Sequence, residues 1–437
     1  MIPEHSPQWL VALRRSLRRS GVPVQEIVAG SGRLRAVLGA DGATELVATV
    51  RPRSADARGW ASTRRFVLGY EGRRDLTPGG QRWMKALLHA VQRSESHLPA
   101  ELDESCGCFA EGTSAEARFA ALFPFCAVER SQLGGDLTTE ILVRTTSRCN
   151  QECPFCSAPP PQPDPSEGSI AACAKAAAQI YPGAVFTLTG GEPTLRRGFL
   201  TEVQSALRVT GLGQVQVQTN AVAFASRLEA RDLPVDERLM FFVSLHALDE
   251  AVYDQCTGTR RQLRPALTGI RNLLGAGHQV IFNCVVSRLN LDHLPDFVRS
   301  LPEQVPCDER VELHFSVLIC PEHRPGAPPL LVPYTELAPA LERAAEDAAS
   351  AGLRVSPLRS STHASLPACV LSPDVRDRLP RRPQVQPSET GYEDFTKAWI
   401  KASACRTCRE RETCLGVPAP YARSLGLAEL RPIEESQ

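Results

Sequence analysis

The strongest constraint on the fold is an alternation of apolar, strand-like runs with helix-like stretches between Thr138 and Ile319. The six strand candidates are Glu140–Arg144, Ala184–Thr189, Gln214–Gln218, Met240–Leu245, Val280–Val286 and Glu312–Ile319. Helices are expected at about 168–180, 198–209, 248–256, 262–276 and 292–301. Strands that alternate with helices form a parallel sheet, and right-handed crossovers curl it into a barrel or partial barrel. The predicted fold class is α/β, a partial (β/α)6 TIM-like barrel whose active site lies at the carboxyl ends of its strands.

Three cysteines follow the first predicted strand in a short loop, with the spacing Cys149-x3-Cys153-x2-Cys156. Thiolates are the natural ligands of iron–sulfur clusters and of zinc. Three of them around a four-iron cube leave one iron without a protein ligand, and that iron can bind the amino and carboxylate groups of a methionine moiety. Electron transfer into the adjacent sulfonium would then break a carbon–sulfur bond. Zinc is the alternative, but it prefers four ligands and no fourth is nearby in the sequence.

This loop, with Phe155 directly before its last cysteine, resembles the signature of the radical S-adenosylmethionine (radical SAM) superfamily. The resemblance covers about residues 138–320. It implies a [4Fe–4S] cluster held by Cys149, Cys153 and Cys156, with SAM bound at the open iron. It further implies reductive cleavage of SAM to methionine and a 5′-deoxyadenosyl radical, which abstracts hydrogen from a substrate.

Polar residues at the ends of later strands fit the same resemblance. Gly190-Gly191-Glu192-Pro193 resembles the superfamily's GGEP motif, whose backbone, together with the Glu192 carboxylate, could receive the SAM amino group. The other candidate SAM contacts are Phe155 in the cysteine loop and four later residues, Asn220, Ser244, His246 and Asn290, for which ordinary polar strand ends are the alternative.

A second cysteine group, Cys405, Cys408 and Cys414, is spaced for metal binding, and Cys369 could supply a fourth ligand. In this context it resembles the twitch or SPASM extensions of radical SAM enzymes. No cysteine follows Cys414, so the resemblance implies one auxiliary [4Fe–4S] cluster rather than two. Structural zinc and free thiols stay open as alternatives.

Residues 1–135 are expected to form a separate α+β module that recognises a substrate or peptide. A helix opens it, Leu34–Leu38 and Glu45–Val50 read as a hairpin, Phe66–Tyr70 as a strand and Gln81–Gln92 as a helix. This order is loosely compatible with a winged-helix leader-peptide binder. The thiols of Cys106, Cys108 and Cys126 are expected to be incidental, with a third metal site as the alternative. The barrel domain is expected at 136–320, a proline-rich linker at 321–333 and the auxiliary domain at 334–437.

Composition narrows the class of protein. The 437 residues contain 49 Lys+Arg and 49 Asp+Glu, so there is no basic excess of the kind that nucleic-acid binders usually carry. No apolar run is long enough to span a membrane, and 15 cysteines without a secretion signal favour metal ligation in a reducing cytoplasm. A flavodoxin- or ferredoxin-type protein is the expected electron donor.

Three hypotheses for function follow. The first is modification of a ribosomally made peptide, and the second is radical chemistry on a small-molecule cofactor or natural-product precursor. The third is a non-catalytic iron–sulfur protein, which the intact triplet and GGEP-like turn disfavour. The sequence identifies no catalytic acid or base.

Overall fold

The structure is a computed structural model. It describes residues 13, 17, 24–30, 33–38, 46–52, 61–62, 66–70, 78–94, 115–133, 136–158, 161–318, 328–358, 366–378, 386–387, 399–411, 414 and 416–434. The chain divides into two compact units, Met1–Pro124 with Ser166–Ala172, and Phe125–Pro165 with Cys173–Gln437.

The first unit contains an antiparallel sheet of five strands in the order β1-β2-β3-β5-β4. The strands are β1 (Val24–Gly30), β2 (Arg33–Leu38), β3 (Leu46–Pro52), β4 (Ala61–Ser62) and β5 (Phe66–Tyr70). Helices α1 (Pro78–Ser94) and α2 (Ala115–Leu122) follow. The predicted hairpin is confirmed, with Leu38 opposite Leu46 and Leu34 opposite Val50. Strands β1 and β4 add to the three predicted strands, and Cys106 and Cys108 lie outside the described residues.

One apolar core holds this unit together. The sheet contributes side chains such as Leu38, Val50 and Leu68, and α1 contributes Met84 and Leu87, all of them fully buried. The α1 residues recur at helical spacing on one face, which is why the helix covers the sheet. The unit therefore has an apolar core of its own.

The second unit contains a nine-stranded sheet in the order β13-β12-β11-β10-β9-β8-β7-β6-β14. Its strands are β6 (Cys126–Leu133), β7 (Asp136–Thr146), β8 (Val185–Gly190), β9 (Gln214–Thr219), β10 (Leu239–Ser244), β11 (Gln279–Val286), β12 (Val311–Val317), β13 (Arg354–Val355) and β14 (Gln386–Pro387). Pairing is parallel from β7 to β13 and antiparallel for β6 and β14. The predicted parallel sheet and its six strands are confirmed.

Strand β6 moves the boundary of the first unit from residue 135 to Pro124. It pairs with β7 along eight residue pairs, from Cys126 opposite Val143 to Leu133 opposite Asp136. These residues therefore extend the barrel sheet. Cys126 is buried in this strand, with its sulfur 3.3 Å from that of Cys173.

The helices of the barrel are α3 (Ser169–Ile180), α4 (Phe199–Leu207), α5 (Glu250–Thr257), α6 (Leu263–Gly275) and α7 (Leu294–Gln304). All five coincide with predicted helices. In α6, apolar residues at helical spacing, including Leu263, Leu267 and Ile270, are buried. A Cβ on Gly269 would lie 2.0 Å from the backbone oxygen of Ala221, so glycine lets this helix approach the loop after β9.

The carboxyl-terminal part contains α8 (Tyr334–Ser350), α9 (Pro373–Arg378), the strand pair β15 (Trp399–Ile400) and β16 (Val417–Pro418), and α10 (Ala419–Leu425). The rings of Tyr334 and Tyr421 stack 4.1 Å apart, and the Tyr421 hydroxyl accepts a 2.8 Å hydrogen bond from the backbone N–H of Tyr334. These contacts fix α10 against the start of α8. The division into domains at 320–334 stays a prediction. Among the described residues, no helix is long and apolar enough to cross a membrane.

Candidate cluster and cofactor site

The three cysteines predicted to bind a cluster lie in one loop directly after β7, at the carboxyl edge of the parallel sheet. Cys149 is exposed, while Cys153 and Cys156 are half-buried, and all three are free thiols. The backbone N–H of Cys156 donates to the oxygen of Cys153, and that of Gln151 donates to the sulfur of Cys149 at 3.4 Å. The loop thus presents three sulfurs close together where sheets of this kind place their active sites.

Helix α5 and its carboxyl end support this loop from one side. The backbone N–H of Glu152 donates to the oxygen of Thr257 at 2.9 Å, and the Gln262 amide donates to the oxygen of Asn150 at 3.3 Å. Gly258 has φ +63°, and a Cβ there would lie 2.4 Å from the Glu152 oxygen. Glycine is therefore required where the helix ends against the loop.

Side chains from two other segments fix the approach to the loop. The Asp164 carboxylate accepts hydrogen bonds from the Thr146 hydroxyl at 3.0 Å and the Ser147 backbone N–H at 3.1 Å. Arg196 donates to the backbone oxygens of Thr145 at 3.0 Å and Pro165 at 2.9 Å. Because these bonds lie on both sides of the cysteines in sequence, they fix both ends of the segment that carries the loop.

The environment of the three cysteine sulfurs is suited to a positively charged iron–sulfur core. Although Cys149 is exposed as a residue, desolvation of its thiol by the surrounding protein, with the nearby Glu192 and Cys156, raises its pKa to about 11, and two backbone N–H groups oppose the shift. Burial and the two neighbouring sulfurs raise the pKa of Cys153 further above its usual range. Three thiolates so close together need positive charge to offset their repulsion, and a bound iron–sulfur core supplies it.

The Gly190–Pro193 turn lies against the residues just before Cys149. The backbone N–H groups of Gly191 and Glu192 donate to the oxygens of Thr146 and Arg148, both at 2.7 Å. A Cβ on Gly191 would lie 2.2 Å from the Arg148 oxygen, and Gly190 has φ +127°. Both glycines are therefore needed for this turn to pack against the cysteine loop.

The Glu192 carboxylate is turned inward, and its use as a receiver for an ammonium group stays a prediction. It is only 2% exposed. One oxygen accepts from the Thr194 backbone at 3.2 Å and from the Thr194 and Thr219 hydroxyls at 2.6 Å, and the other accepts from the Asn220 backbone at 2.8 Å. Burial raises the pKa of Glu192, and these hydrogen bonds oppose the shift. With the carboxylate occupied, the backbone of the turn is what can face a ligand.

Two of the other predicted SAM contacts, Ser244 and Asn220, lie at or just after the carboxyl ends of strands. Ser244 is half-buried at the carboxyl end of β10, opposite Asn283. Asn220 is buried after β9, and its amide donates to the Asn150 side chain in the cysteine loop at 2.8 Å. Both residues therefore lie at the predicted edge of the sheet.

His246 and Phe155 contact each other edge to face, with ring centroids 5.3 Å apart. Burial lowers the pKa of His246 to about 4, so the ring is neutral at physiological pH. Its Nδ1 accepts from the Val285 backbone N–H at 3.2 Å, which places the ring proton on Nε2. Two predicted SAM contacts, His246 just after β10 and Phe155 in the cysteine loop, therefore touch each other.

Asn290 is buried between the ends of two strands, and its contact to adenosine stays a prediction. It is 1% exposed, and its amide donates to the oxygens of His246 at 2.8 Å and Val285 at 3.0 Å. Its oxygen accepts from the Ser287 backbone at 2.8 Å. Its partners show that it holds the ends of β10 and β11 in place.

The late cysteines come together although Cys369 lies 36 residues before Cys405. One cavity, partly open to solvent, has an empty volume of about 330 Å³. Its lining includes Cys369, Cys405, Cys408, Cys414, Lys401, Glu410, Arg411 and Arg431. Burial, together with the three neighbouring sulfurs, raises the pKa of Cys369 to about 11.

Backbone N–H groups point at the sulfurs of this cavity. The N–H of Ile433 lies 3.4 Å from the Cys408 sulfur, and that of Gly416 lies 3.4 Å from the Cys414 sulfur. Such donors stabilise thiolates, and the three basic side chains of the lining supply positive charge. The donor set therefore fits a cluster held by four cysteines.

Within the described part of the chain, no three His, Cys, Asp or Glu side chains are close enough together to hold one metal ion. The cysteines of a four-iron cluster bind different irons, so they lie farther apart than the ligands of one ion.

Residues 143–301 match the Radical SAM superfamily. This match and the cysteine loop at the edge of a partial β/α barrel define the class of domain: the chain carries a radical SAM domain. The superfamily uses a [4Fe–4S] cluster and SAM.

Curated relatives share part of this domain. A probable GTP 3′,8-cyclase of Saccharolobus islandicus is 31% identical over 181 residues, which cover 40% of this chain and 57% of the relative. The GTP 3′,8-cyclase of Haemophilus influenzae is 29% identical over 142 residues, 31% of this chain and 41% of the relative. The chain thus spans about half the length of these relatives.

Two solved structures are similar to the chain at low identity. Native anSMEcpe with bound AdoMet has a TM-score of 0.45 at 14% identity, over 67% of this chain and 92% of that one. Streptococcus suis SuiB bound to S-adenosylmethionine has a TM-score of 0.40 at 12% identity, over 64% of this chain and 56% of that one.

Sequence reasoning missed several residues that build the site. Asn150, Gln151, Asp164, Thr219 and Tyr253 all make hydrogen bonds within it. Asn150 and Gln151 stood between the predicted ligands and could have been named from that position. The other three are identified only by contacts that the fold creates.

Proposed function

We propose that this chain is a radical SAM enzyme in which Cys149, Cys153 and Cys156 hold a [4Fe–4S] cluster with one iron open to SAM. The observation that carries the proposal is the packing of the cysteine loop against the Gly190–Pro193 turn, through two 2.7 Å backbone hydrogen bonds. When bound, the cluster and SAM supply reductive cleavage of a carbon–sulfur bond and a radical that abstracts hydrogen from the substrate.

The residues of this chain have distinct tasks in that reaction. The backbone of Gly190–Pro193 would hold the SAM amino group. Phe155 and His246 form an edge-to-face pair that flanks the ligand and keeps water from it. The hydroxyl of Ser244 is available at the end of β10 to bind a polar group of the ligand.

The second part of the proposal assigns an auxiliary [4Fe–4S] cluster to Cys369, Cys405, Cys408 and Cys414, as in a twitch- or SPASM-like extension. Support comes from their common cavity and from the basic residues Lys401, Arg411 and Arg431 in its lining. Four cysteines complete the coordination of a four-iron cluster, which suits electron transfer or structural support better than substrate binding.

For the substrate, we infer a peptide. The face of the sheet opposite the buried apolar side chains carries amide and hydroxyl groups toward its carboxyl end, namely Gln218, Ser244, Asn283 and Ser316, beside the charged Arg144 and Glu312. The Ser316 hydroxyl donates to Asn283 at 2.7 Å, which orients the Asn283 amide. Amides and hydroxyls of this kind pair well with peptide groups, and the separate amino-terminal unit offers a second surface for recognition.

A small-molecule substrate is the second candidate. It is favoured by the relatives named GTP 3′,8-cyclase, which are about 30% identical to the chain over the radical SAM region. A gene for a short peptide with a repeated core next to this gene would favour the peptide, whereas small-molecule biosynthetic genes would favour the alternative. A flavodoxin- or ferredoxin-type donor in the cytoplasm completes the proposal, because exposed clusters of this kind need a reducing environment.

The test of the reaction is anaerobic incubation of the reconstituted protein with SAM and dithionite. We expect 5′-deoxyadenosine and methionine to form in the wild type, and no product when Cys149, Cys153 and Cys156 are replaced by alanine. Absence of any SAM cleavage product from wild-type protein that holds its clusters would refute the proposal.

A further inference from the structure

Gln151 lies between two predicted ligands of the cluster and touches both. Its backbone N–H donates to the Cys149 sulfur at 3.4 Å. Its side-chain oxygen lies 3.8 Å from the Cys153 sulfur, and its side-chain nitrogen lies 3.2 Å from the hydroxyl of Tyr253. Gln151 is 9% exposed and Tyr253, on α5, is fully buried, so the Gln151 amide and the Tyr253 hydroxyl are shielded from water beside the half-buried Cys153.

The direction of these hydrogen bonds belongs to the protonated form of Cys153. A thiol donates its proton to the Gln151 oxygen, and the Gln151 nitrogen then donates to Tyr253. A cysteine bound to iron is a thiolate, which has no proton to give and accepts hydrogen bonds instead. The Cys153 thiolate and the Gln151 amide oxygen would then repel each other.

Rotation of the Gln151 amide by half a turn removes this conflict. The amide nitrogen and oxygen are nearly equal in size, so exchanging them requires no repacking. The nitrogen then donates to the Cys153 sulfur, and the Tyr253 hydroxyl, which both donates and accepts, gives its proton to the amide oxygen. Tyr253 therefore satisfies Gln151 in either orientation.

We propose that Tyr253 and Gln151 act as positioning residues that direct an amide N–H at the Cys153 sulfur of the bound cluster and so raise its reduction potential. This inference rests on the proposed function, because it requires a cluster on Cys153. The reduced cluster carries one more negative charge than the oxidised one, so a donor at its sulfur stabilises the reduced form more.

The test is an EPR-monitored redox titration of the holoenzyme, following the reduced signal that changes when SAM is added. Gln151→Met keeps the length of the side chain and removes the donor. Tyr253→Phe keeps the buried ring and removes the hydroxyl that orients the amide. Tyr334→Phe, a buried tyrosine on α8, serves as the matched control.

At a fixed applied potential, we expect Gln151→Met to lower the ratio of reduced to oxidised cluster about fivefold to tenfold, since a hydrogen bond to a charged acceptor is lost. A tenfold change corresponds to a shift of about 59 mV for one electron. Tyr253→Phe should shift the ratio in the same direction by a smaller factor, and Tyr334→Phe should leave it unchanged.

An unchanged midpoint in Gln151→Met, with wild-type iron content, would overturn the inference. If the Tyr253→Phe variant does not retain its cluster, the midpoint potential of the Gln151→Met variant alone decides the test. Failure of the proposed function has a different signature, because the wild type itself would then show no SAM-responsive cluster.

Discussion

The side-chain amide of Asn220 donates a 2.8 Å hydrogen bond to the side-chain oxygen of Asn150, 70 residues earlier in the chain. The backbone N–H of Asn220 in turn donates to the Glu192 carboxylate at 2.8 Å. A continuous path of hydrogen bonds therefore joins the Gly190–Pro193 turn, the end of β9 and the cysteine loop. The Gly190–Pro193 turn and the cysteine loop are therefore held in one geometry by hydrogen bonds through Asn220 and Asn150.

Replacing Glu192 by glutamine tests this path. One carboxylate oxygen becomes an NH2 group that faces donors from Thr194 and Thr219 or from Asn220, so at least one buried donor loses its acceptor. We expect the free energy of unfolding to fall by about 2 to 3 kcal/mol. Denaturant titration of the anaerobic holoprotein measures it, and Glu346→Gln, on the exposed face of α8, should change it by less than about 0.5 kcal/mol. Equal stability of Glu192→Gln and the wild type would contradict the assigned role.

Alanine at Cys149, Cys153 and Cys156 should remove one complete cluster. We expect a loss of about four irons per chain, because each sulfur binds a different iron of the same cube. Chemical iron analysis after anaerobic reconstitution measures the loss. Cys307→Ala removes a half-buried thiol whose neighbour is the Val305 oxygen, and it should retain all the iron. Iron content that the triple replacement does not change would exclude the assigned ligands.

The carboxyl-terminal cavity makes a separate prediction about metal content. Wild-type protein should hold about eight irons, in two clusters of about four irons each. The double replacement Cys405→Ala and Cys408→Ala should keep about four of them, together with the SAM-responsive EPR signal. About four irons and one zinc in the wild type would instead identify the cavity as a zinc site.

How much of this could be predicted from the sequence depends on how local each signal is. The strands from β7 to β12 were located within a few residues because each carries a local apolar signal, such as the continuous run of β10 or the strict alternation of β9. Strand β6 was missed, since Cys126–Leu133 carries Glu129, Arg130 and Gln132 and lacks such a run. It is recognised as a strand only through its pairing with β7.

The site shows the same limit. The spacing of the three cysteines and the resemblance of Gly190–Pro193 to the GGEP motif predicted these two parts of the site, because each of them is one short segment. The inward orientation of Glu192 could not be predicted, since its partners Thr219 and Asn220 come from the next strand. The burial of Asn290 likewise depends on how β10 and β11 end beside each other.

The neutral state of His246 predicts how stability depends on pH. Its pKa is about 4 in the folded protein and about 6.5 when unfolded. Between these values the unfolded chain binds more protons, so stability falls as the pH falls. We expect the wild type to lose about 2 kcal/mol from this residue between pH 7 and pH 5. Denaturant titrations at both pH values measure the loss, and His246→Gln should lose that much less. An identical pH dependence in the two proteins would show that His246 is accessible to protons when folded.

The most direct test of the central claim is electron–nuclear double resonance on the reduced holoenzyme with SAM labelled with nitrogen-15 at its amino group. If an open iron of the Cys149–Cys156 cluster binds SAM, hyperfine coupling to that nitrogen should appear in the wild type. The coupling should persist in the double replacement Cys405→Ala and Cys408→Ala, and disappear when Cys149, Cys153 and Cys156 are alanine. The absence of coupling in the wild type, or coupling that survives loss of the three cysteines, would contradict the account.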